Sequence, residues 1–236
     1  MVELEASPGA PPRAPGTTGL FHLAVLLPSR LELARAVRRV ADAGWRLSGA
    51  SDHLVSEALY LRDPDGNGIE LYRDRPREEW RYADGTLQMD TLPLDLESVL
   101  AELDETGEGR NEVAPETRLG HVHLQVSDLA DAESFYHGVL GFDVTVRTYP
   151  GALFLSAGDY HHHIGLNVWT SEGAPPPAPG SLGLAWFEIV MPGGDELERG
   201  ARRVEGAGID ARREHGALRL ADPSGNGVLL RASPGS

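Results

Sequence analysis

The sequence predicts an α+β protein built from repeated βαβββ modules, three of them complete and a fourth reduced to a stub. Three observations carry that reading. Arg38-Arg-Val-Ala-Asp-Ala-Gly44 recurs as Arg202-Arg-Val-Glu-Gly-Ala-Gly208, and Asp63-Pro-Asp-Gly-Asn-Gly68 recurs in the same order as Asp222-Pro-Ser-Gly-Asn-Gly227. A third unit with the same succession of strand, helix and short strands lies between the two copies, beginning at Gly120. Ordered self-similarity of this kind marks a supersecondary unit that has been duplicated.

The elements follow in chain order. Val2-Glu-Leu-Glu5 alternates as a strand would and leads into a Pro-rich joint, so it reads as what remains of a first module. The expectation is that the chain starts downstream of an ancestral start, or is a fragment. Leu20 to Leu27 is an apolar β-run. Ser29-Arg-Leu-Glu32 is a capping box, in which the Ser oxygen accepts from the third helical amide. Leu33, Val37 and Val40 then share one helical face, and Gly44 provides a left-handed terminus. Glu57 to Arg62 and Gly68 to Tyr72 flank a Pro-Asp-Gly-Asn-Gly turn, a hairpin signal because Gly and Asn tolerate positive φ.

Residues 75–118 read as an acidic linker with one short helix near Asp95 to Leu103. The middle module has its strand at Val122 to Val126. Its helix carries Leu129, Ala132, Phe135 or Tyr136, and Val139, closed by Gly141, and two β-runs then end in His161-His-His-Ile-Gly-Leu-Asn167. Pro175-Pro-Pro-Ala-Pro179 is a stiff joint before the last module. The expected domains are therefore 1–74 (a stub strand and the complete module 19–74), the linker 75–118, and 119–234, holding modules 119–170 and 181–234.

Composition removes several function classes. A formal charge of −15 with no basic run argues against a nucleic-acid partner, since phosphate binding draws on clustered Lys and Arg. There is no cysteine, hence no thiolate nucleophile, Cys-ligated zinc or disulfide, which fits a reducing cytoplasm. Apolar runs are strand-sized, well short of the ~20 residues of a membrane span. The first residues lack the basic and apolar regions of a secretion signal, so a cytoplasmic location is expected. Any metal must bind through His, Asp or Glu.

One residue stands out on physical grounds alone. Glu70 sits inside an apolar strand, Ile69-Glu70-Leu71, where an unpaired carboxylate costs several kcal/mol or more. The equivalent position of the last module is Leu229, so the fold does not need Glu there. His121 and His123 alternate onto one strand face, leaving either as a candidate ligand, with the Gly-His pairing favouring His121. His137 and His215, among polar neighbours, read as solvated.

Several motifs together resemble the vicinal-oxygen-chelate superfamily, and within it the four-module bacterial catechol 2,3-dioxygenases of the bacillus type. They are Thr18-Gly-Leu-Phe-His22, Ser56-Glu-Ala-Leu-Tyr60 with Leu61-Arg-Asp-Pro-Asp-Gly-Asn-Gly-Ile-Glu70, Gly120-His-Val-His-Leu124 and Tyr160-His-His-His-Ile-Gly-Leu-Asn167. The resemblance implies paired βαβββ modules, each pair curling its sheets around a cleft that holds one divalent metal. It places ligands on the first and last strands of the modules, which makes His22, Glu70 and His121 the metal set. The last module offers Ala185 or Trp186 and Leu229 at those places and is expected to be inert. Two imidazoles and one carboxylate with open positions suit non-haem Fe(II), with Mn(II) the alternative. By the same resemblance His162 is the catalytic acid/base, Tyr60 hydrogen-bonds a substrate oxygen and His53 is a pocket histidine, its spacing off by a couple of residues.

The implied reaction is extradiol cleavage of a small aromatic diol by O2. A glyoxalase-type isomerase or lyase is the alternative, but it normally wants a Glu or Gln as fourth ligand, which the His-His-His-Ile-Gly run lacks. A bleomycin-resistance-type binding protein would be metal-free, against the presence of His22 and Glu70. An inactive truncated product would keep the residues without the register. An edge left by the missing module favours a homodimer, because open edges are usually paired.

Overall fold

The computed structural model describes residues 2–106 and 112–234. The chain forms two compact units, Met1–Glu5 with Phe21–His123, and Ala6–Leu20 with Leu124–Ser236.

The first unit holds one module and the connector. Strand β1 (Gly19–Leu26), helix α1 (Arg30–Asp42) and strands β2 (Gly49–Asp52), β3 (Ser56–Arg62) and β4 (Gly68–Asp74) reproduce the expected βαβββ order. The N-cap of α1 is Ser29, which accepts from the Glu32 amide at 3.2 Å, and Gly44 beyond its end has φ +64°. Across the β3–β4 turn, Asp63 accepts from the amides of Asp65 and Asn67 at 2.9 and 2.8 Å, and Gly66 takes φ +87°. That Asx-type bonding is why the motif begins with Asp. The connector is more structured than its composition suggests. It carries a short 3-10 turn, the small strands β5 (Tyr82–Ala83), β6 (Thr86–Leu87) and β7 (Leu92–Pro93), and helix α2 (Leu96–Thr106). Part of the connector, residues 107–111, lies outside the described residues. β8 (Arg118–Gln125) opens the middle module, and the strands of this unit neighbour one another in the order β7-β2-β3-β4-β1-β8.

The sheet of this unit has two distinct faces. Leu59, Val25 and Leu71 face α1 and α2, packing with Leu33, Val37 and Val99. Fully burying a side chain such as Leu33 or Leu59 contributes about 1.5–3 kcal/mol. The opposite face carries Ala24, Leu26, Ala58 and Tyr72, with Tyr60 beside them. One ion cluster locks the outer layer: Glu57 is bonded by Arg30 at 2.9 Å and Arg73 at 2.6 Å, and Arg30 also reaches Glu102 on α2 at 3.1 Å.

In the second unit, α3 (Leu129–Glu133) continues into a π-helical turn, Ser134–Val139. The widened turn explains why Phe135 and Tyr136 are both buried where a regular helix would bury one. Strands β9 (Asp143–Val146), β10 (Ala152–Ser156) and β11 (Ile164–Asn167) complete that module. The last module is β12 (Phe187–Met191), α4 (Gly194–Gly206), β13 (Ala211–Glu214), β14 (Ala217–Ala221) and β15 (Gly227–Ala232), in a sheet ordered β12-β15-β14-β13.

Three complete modules are thus present. The segment Val2–Glu5, expected as a strand, is irregular and exposed along its length; alternation without a partner strand does not hold a ladder. Residues 6–18 are held within the second unit instead: Thr18 N–H donates to the Pro175 carbonyl (3.1 Å), Thr18 Oγ1 to the Ser224 carbonyl (2.7 Å), and Arg13 to Gln125 (2.8 Å).

Candidate metal centre

Parallel pairing of β1 with β4 sets Ala24 opposite Glu70, so His22, two residues earlier, projects from the same sheet face. Antiparallel pairing of β3 with β4 sets Tyr60 directly opposite Glu70, on that face too. Gly68 permits the close approach of β4 to β1, since a Cβ there would stand 2.1 Å from the Phe21 carbonyl oxygen. β8 brings His121 alongside. Its neighbour Gly120 is required, because a Cβ at that position would meet the Tyr72 hydroxyl at 1.9 Å. The Gly-His pair therefore lets the Tyr72 ring settle against His121, with centroids 4.9 Å apart.

The result is a buried cluster on one face of one unit. His22 Nε2 lies 2.9 Å and His121 Nε2 3.1 Å from the same Glu70 oxygen, Oε2. One ligand atom from each of the three residues fits within 4.8 Å of the others. All three side chains are buried, Glu70 at 3 % exposure. The His121 contact has hydrogen-bond alignment, whereas the His22 nitrogen, though nearer, does not. Two imidazole nitrogens and a carboxylate oxygen this close together could hold a metal ion. The donor set fits a divalent first-row metal with coordination positions left over.

Electrostatics agree with that assignment. Burial by itself would raise the Glu70 carboxyl, but the adjoining His121 and His22 outweigh it and hold the group well below the usual carboxylate range. His123, the alternative ligand, is also buried on this face, packed edge-on to His22 (4.9 Å) and Phe21 (5.2 Å). Burial pushes its imidazole well below the ordinary histidine value, and His22 and His121 push the same way. The geometry thus brings His121 to Glu70 and leaves His123 as a neutral ring against His22.

Tyr60 stands beside the cluster, its ring 5.6 Å from that of His22, and its hydroxyl lies 2.6 Å from His53 Nε2. His162 belongs to the second unit. There the run His161–His163 precedes β11 and does not form part of it, so strand alternation does not govern it. His161 and His162 are both buried, with their Nδ1 atoms 2.8 Å apart, and His163 Nδ1 accepts from the Ala157 amide at 3.3 Å.

The register also compares the modules. Leu27 N–H donates to the Tyr72 carbonyl, and Val126 N–H to the Asn167 carbonyl, which aligns His22 with His121 and Glu70 with Gly165. The middle module thus has a glycine, with no donor side chain, where the first has Glu70. In the last module a Cβ on Gly227 would meet the Ala185 carbonyl (2.4 Å) and the Trp186 Cβ (3.1 Å), as Gly68 meets Phe21 and His22. Trp186 thus aligns with His22 and Leu229 with Glu70, and that module has no metal donor at either place.

Sequence reasoning did not anticipate the Tyr72–Gly120 contact or the role of the Asp90 carbonyl, which accepts from His53 Nδ1 at 2.7 Å. The first had a signal in the conformationally costly Gly inside a strand. The second had none, because a backbone oxygen carries no residue type.

Comparison with known proteins gives a consistent picture. The family profile described as Glyoxalase/Bleomycin resistance protein/Dioxygenase superfamily matches residues 1–71 and 118–230. Catechol-2,3-dioxygenase of Bacillus subtilis (strain 168) is 47% identical over 230 residues, 94% of this chain and 78% of that protein. A crystallised protein of Bacillus subtilis subsp. subtilis strain 168 superposes with TM-score 0.66 at 12% identity, covering 97% of this chain and 66% of its own. Glyoxalase I from Zea mays superposes with TM-score 0.53 at 18% identity over 92% of this chain and 69% of its own. The two structures speak to the fold alone.

Proposed function

The chain belongs to the Glyoxalase/Bleomycin resistance protein/Dioxygenase superfamily, and on that premise we propose that it is an extradiol ring-cleaving dioxygenase acting on a catechol. The observation that carries the proposal is the convergence of His22, Glu70 and His121 within 4.8 Å on one buried face, with Tyr60 beside them. A sequence identity of 47% to a catechol-2,3-dioxygenase supports the same reading.

In this proposal the three residues hold Fe(II), or Mn(II) with the same donors. When bound, the ion supplies Lewis acidity that favours catechol ionisation, and the electrons with which dioxygen is activated. The chain's own groups do the rest. Glu70 remains ionised, so it neutralises part of the cation's charge, and the two imidazoles bind through neutral nitrogens. Tyr60 meets one substrate oxygen. The apolar wall of Ala24, Ala58 and Tyr72 excludes water from the face on which the ring lies. The acid/base role of His162 is carried forward on its motif. Both oxygen atoms of O2 enter the ring-opened product, so no external reductant is consumed.

The test is reconstitution. Protein loaded anaerobically with ferrous iron and mixed with catechol in air is expected to form a yellow ring-cleavage product. The colour is expected to vanish in His22→Ala, Glu70→Ala and His121→Ala and to persist in His123→Ala. Failure of the native chain to take up any divalent metal would overturn the proposal.

A further inference from the structure

The hydrogen bonds around His53 have a direction that the ligand set does not dictate. The Asp90 carbonyl oxygen, 2.7 Å from His53 Nδ1, can only accept, so Nδ1 carries the proton. In a neutral imidazole Nε2 must then accept, and its partner at 2.6 Å is the Tyr60 hydroxyl. The single hydroxyl proton of Tyr60 is thereby committed to His53, so toward any further partner Tyr60 acts as an acceptor.

The connector builds this polarity. β7 pairs with β2, with Asp52 opposite Leu92 and Ser51 opposite Pro93, which carries residue 90 to His53. The Asp90 side chain accepts from the Thr91 amide at 2.7 Å, fixing the peptide whose carbonyl faces the imidazole.

We propose that His53 is a positioning residue that makes Tyr60 a hydrogen-bond acceptor toward the substrate, with the connector carbonyl of Asp90 setting that direction. The site consequently selects an oxygen that arrives bearing a proton, a hydroxyl and not an ether or a ketone. On binding, substrate O–H, Tyr60, His53 and the Asp90 carbonyl form a chain of bonds all donating in one direction, each polarising the next. The inference rests on the dioxygenase proposal only for what Tyr60 meets; the direction of the bonds is independent of it.

The experiment uses the full chain loaded with diamagnetic Zn(II) and labelled with ¹⁵N-histidine, the His53 signals being assigned by their loss in His53→Gln. The expected spectrum at neutral pH shows Nδ1 protonated and Nε2 unprotonated. In Tyr60→Phe the Nε2 signal is expected to shift while Nδ1 keeps its proton. Protonation of His53 at Nε2, or an Nε2 signal indifferent to Tyr60→Phe, overturns the proposal. A kinetic arm separates positioning from mere structure. His53→Leu is expected to raise KM for catechol about tenfold, the scale of one hydrogen bond, with a smaller change in kcat. His53→Gln, whose amide donates toward Asp90 and accepts from Tyr60, is expected to recover most of that loss; equal defects in the two variants count against the proposal. If the native chain cleaves no catechol, the dioxygenase proposal fails while the spectrum still decides the tautomer.

Discussion

The module spanning β1 to β4 and the module spanning β12 to β15 share a helix motif, a turn motif and a sheet order, yet they occupy opposite ends of a chemical scale. Both place the first strand parallel to the last, Ala24 opposite Glu70 in one and Glu188 opposite Leu229 in the other. Both tie the hairpin turn with an Asp that accepts from two amides and an Asn side chain. Where one has His22 and Glu70, the other has Trp186 and Leu229. The difference teaches that the backbone supplies two neighbouring positions on one sheet face in both modules, and side-chain identity decides whether they offer metal donors or apolar groups.

Exchanging those identities breaks the comparison most forcefully. Glu70→Leu, which copies the last module, is expected to abolish stoichiometric metal uptake measured by elemental analysis. The metal-free protein is also expected to lose stability in thermal unfolding, because the leucine removes the carboxylate that pairs with buried His22 and His121. The reverse change, Leu229→Glu, sets a carboxylate directly opposite Arg219 at a position 8 % exposed, and is expected to create no metal uptake in elemental analysis, because Trp186 offers no histidine nitrogen beside it.

The ion clusters sharpen the comparison at the next level. Glu57 lies buried among Arg30, Arg73 and Arg75, and Glu57→Gln leaves the buried Arg73 guanidinium without its carboxylate, with an expected cost of about 3 kcal/mol. The pairs of the last module, Arg231–Glu188 at 2.9 Å and Arg213–Glu198 at 2.8 Å among them, lie toward solvent. Arg231→Ala is expected to change stability by less than about 1 kcal/mol, and less still at high salt. Between these extremes, Gly68→Ala and Gly227→Ala should destabilise by similar amounts, on the order of 1–3 kcal/mol. Each drives a Cβ into the carbonyl oxygen of its own first strand. Unequal costs would show that the two modules are less alike than their backbones suggest.

Much of the architecture was legible in residue order. The capping Ser29, the left-handed Gly44 and the Asp-Pro-x-Gly-Asn-Gly turns are local devices whose energetics depend on a few neighbouring residues, so they appear where the sequence places them. Glu70 was legible for another reason, that a carboxylate among strand residues is expensive without a partner. The failures were of a different kind. Val2–Glu5 has the alternation of a strand but no ladder to join, and His161–His163, expected at the end of a β-run, stop short of β11.

By itself the sequence determined the modular repeat, the donor types available to a metal and the module that lacks donors at the aligned positions, because each follows from local chemistry or from comparison of copies. Tertiary structure decided which of two histidines on β8 reaches Glu70, that Trp186 and not Ala185 aligns with His22, and that a connector carbonyl orients His53. These depend on strand register and on the approach of segments far apart in the chain, to tolerances of a few tenths of an ångström that no periodicity encodes.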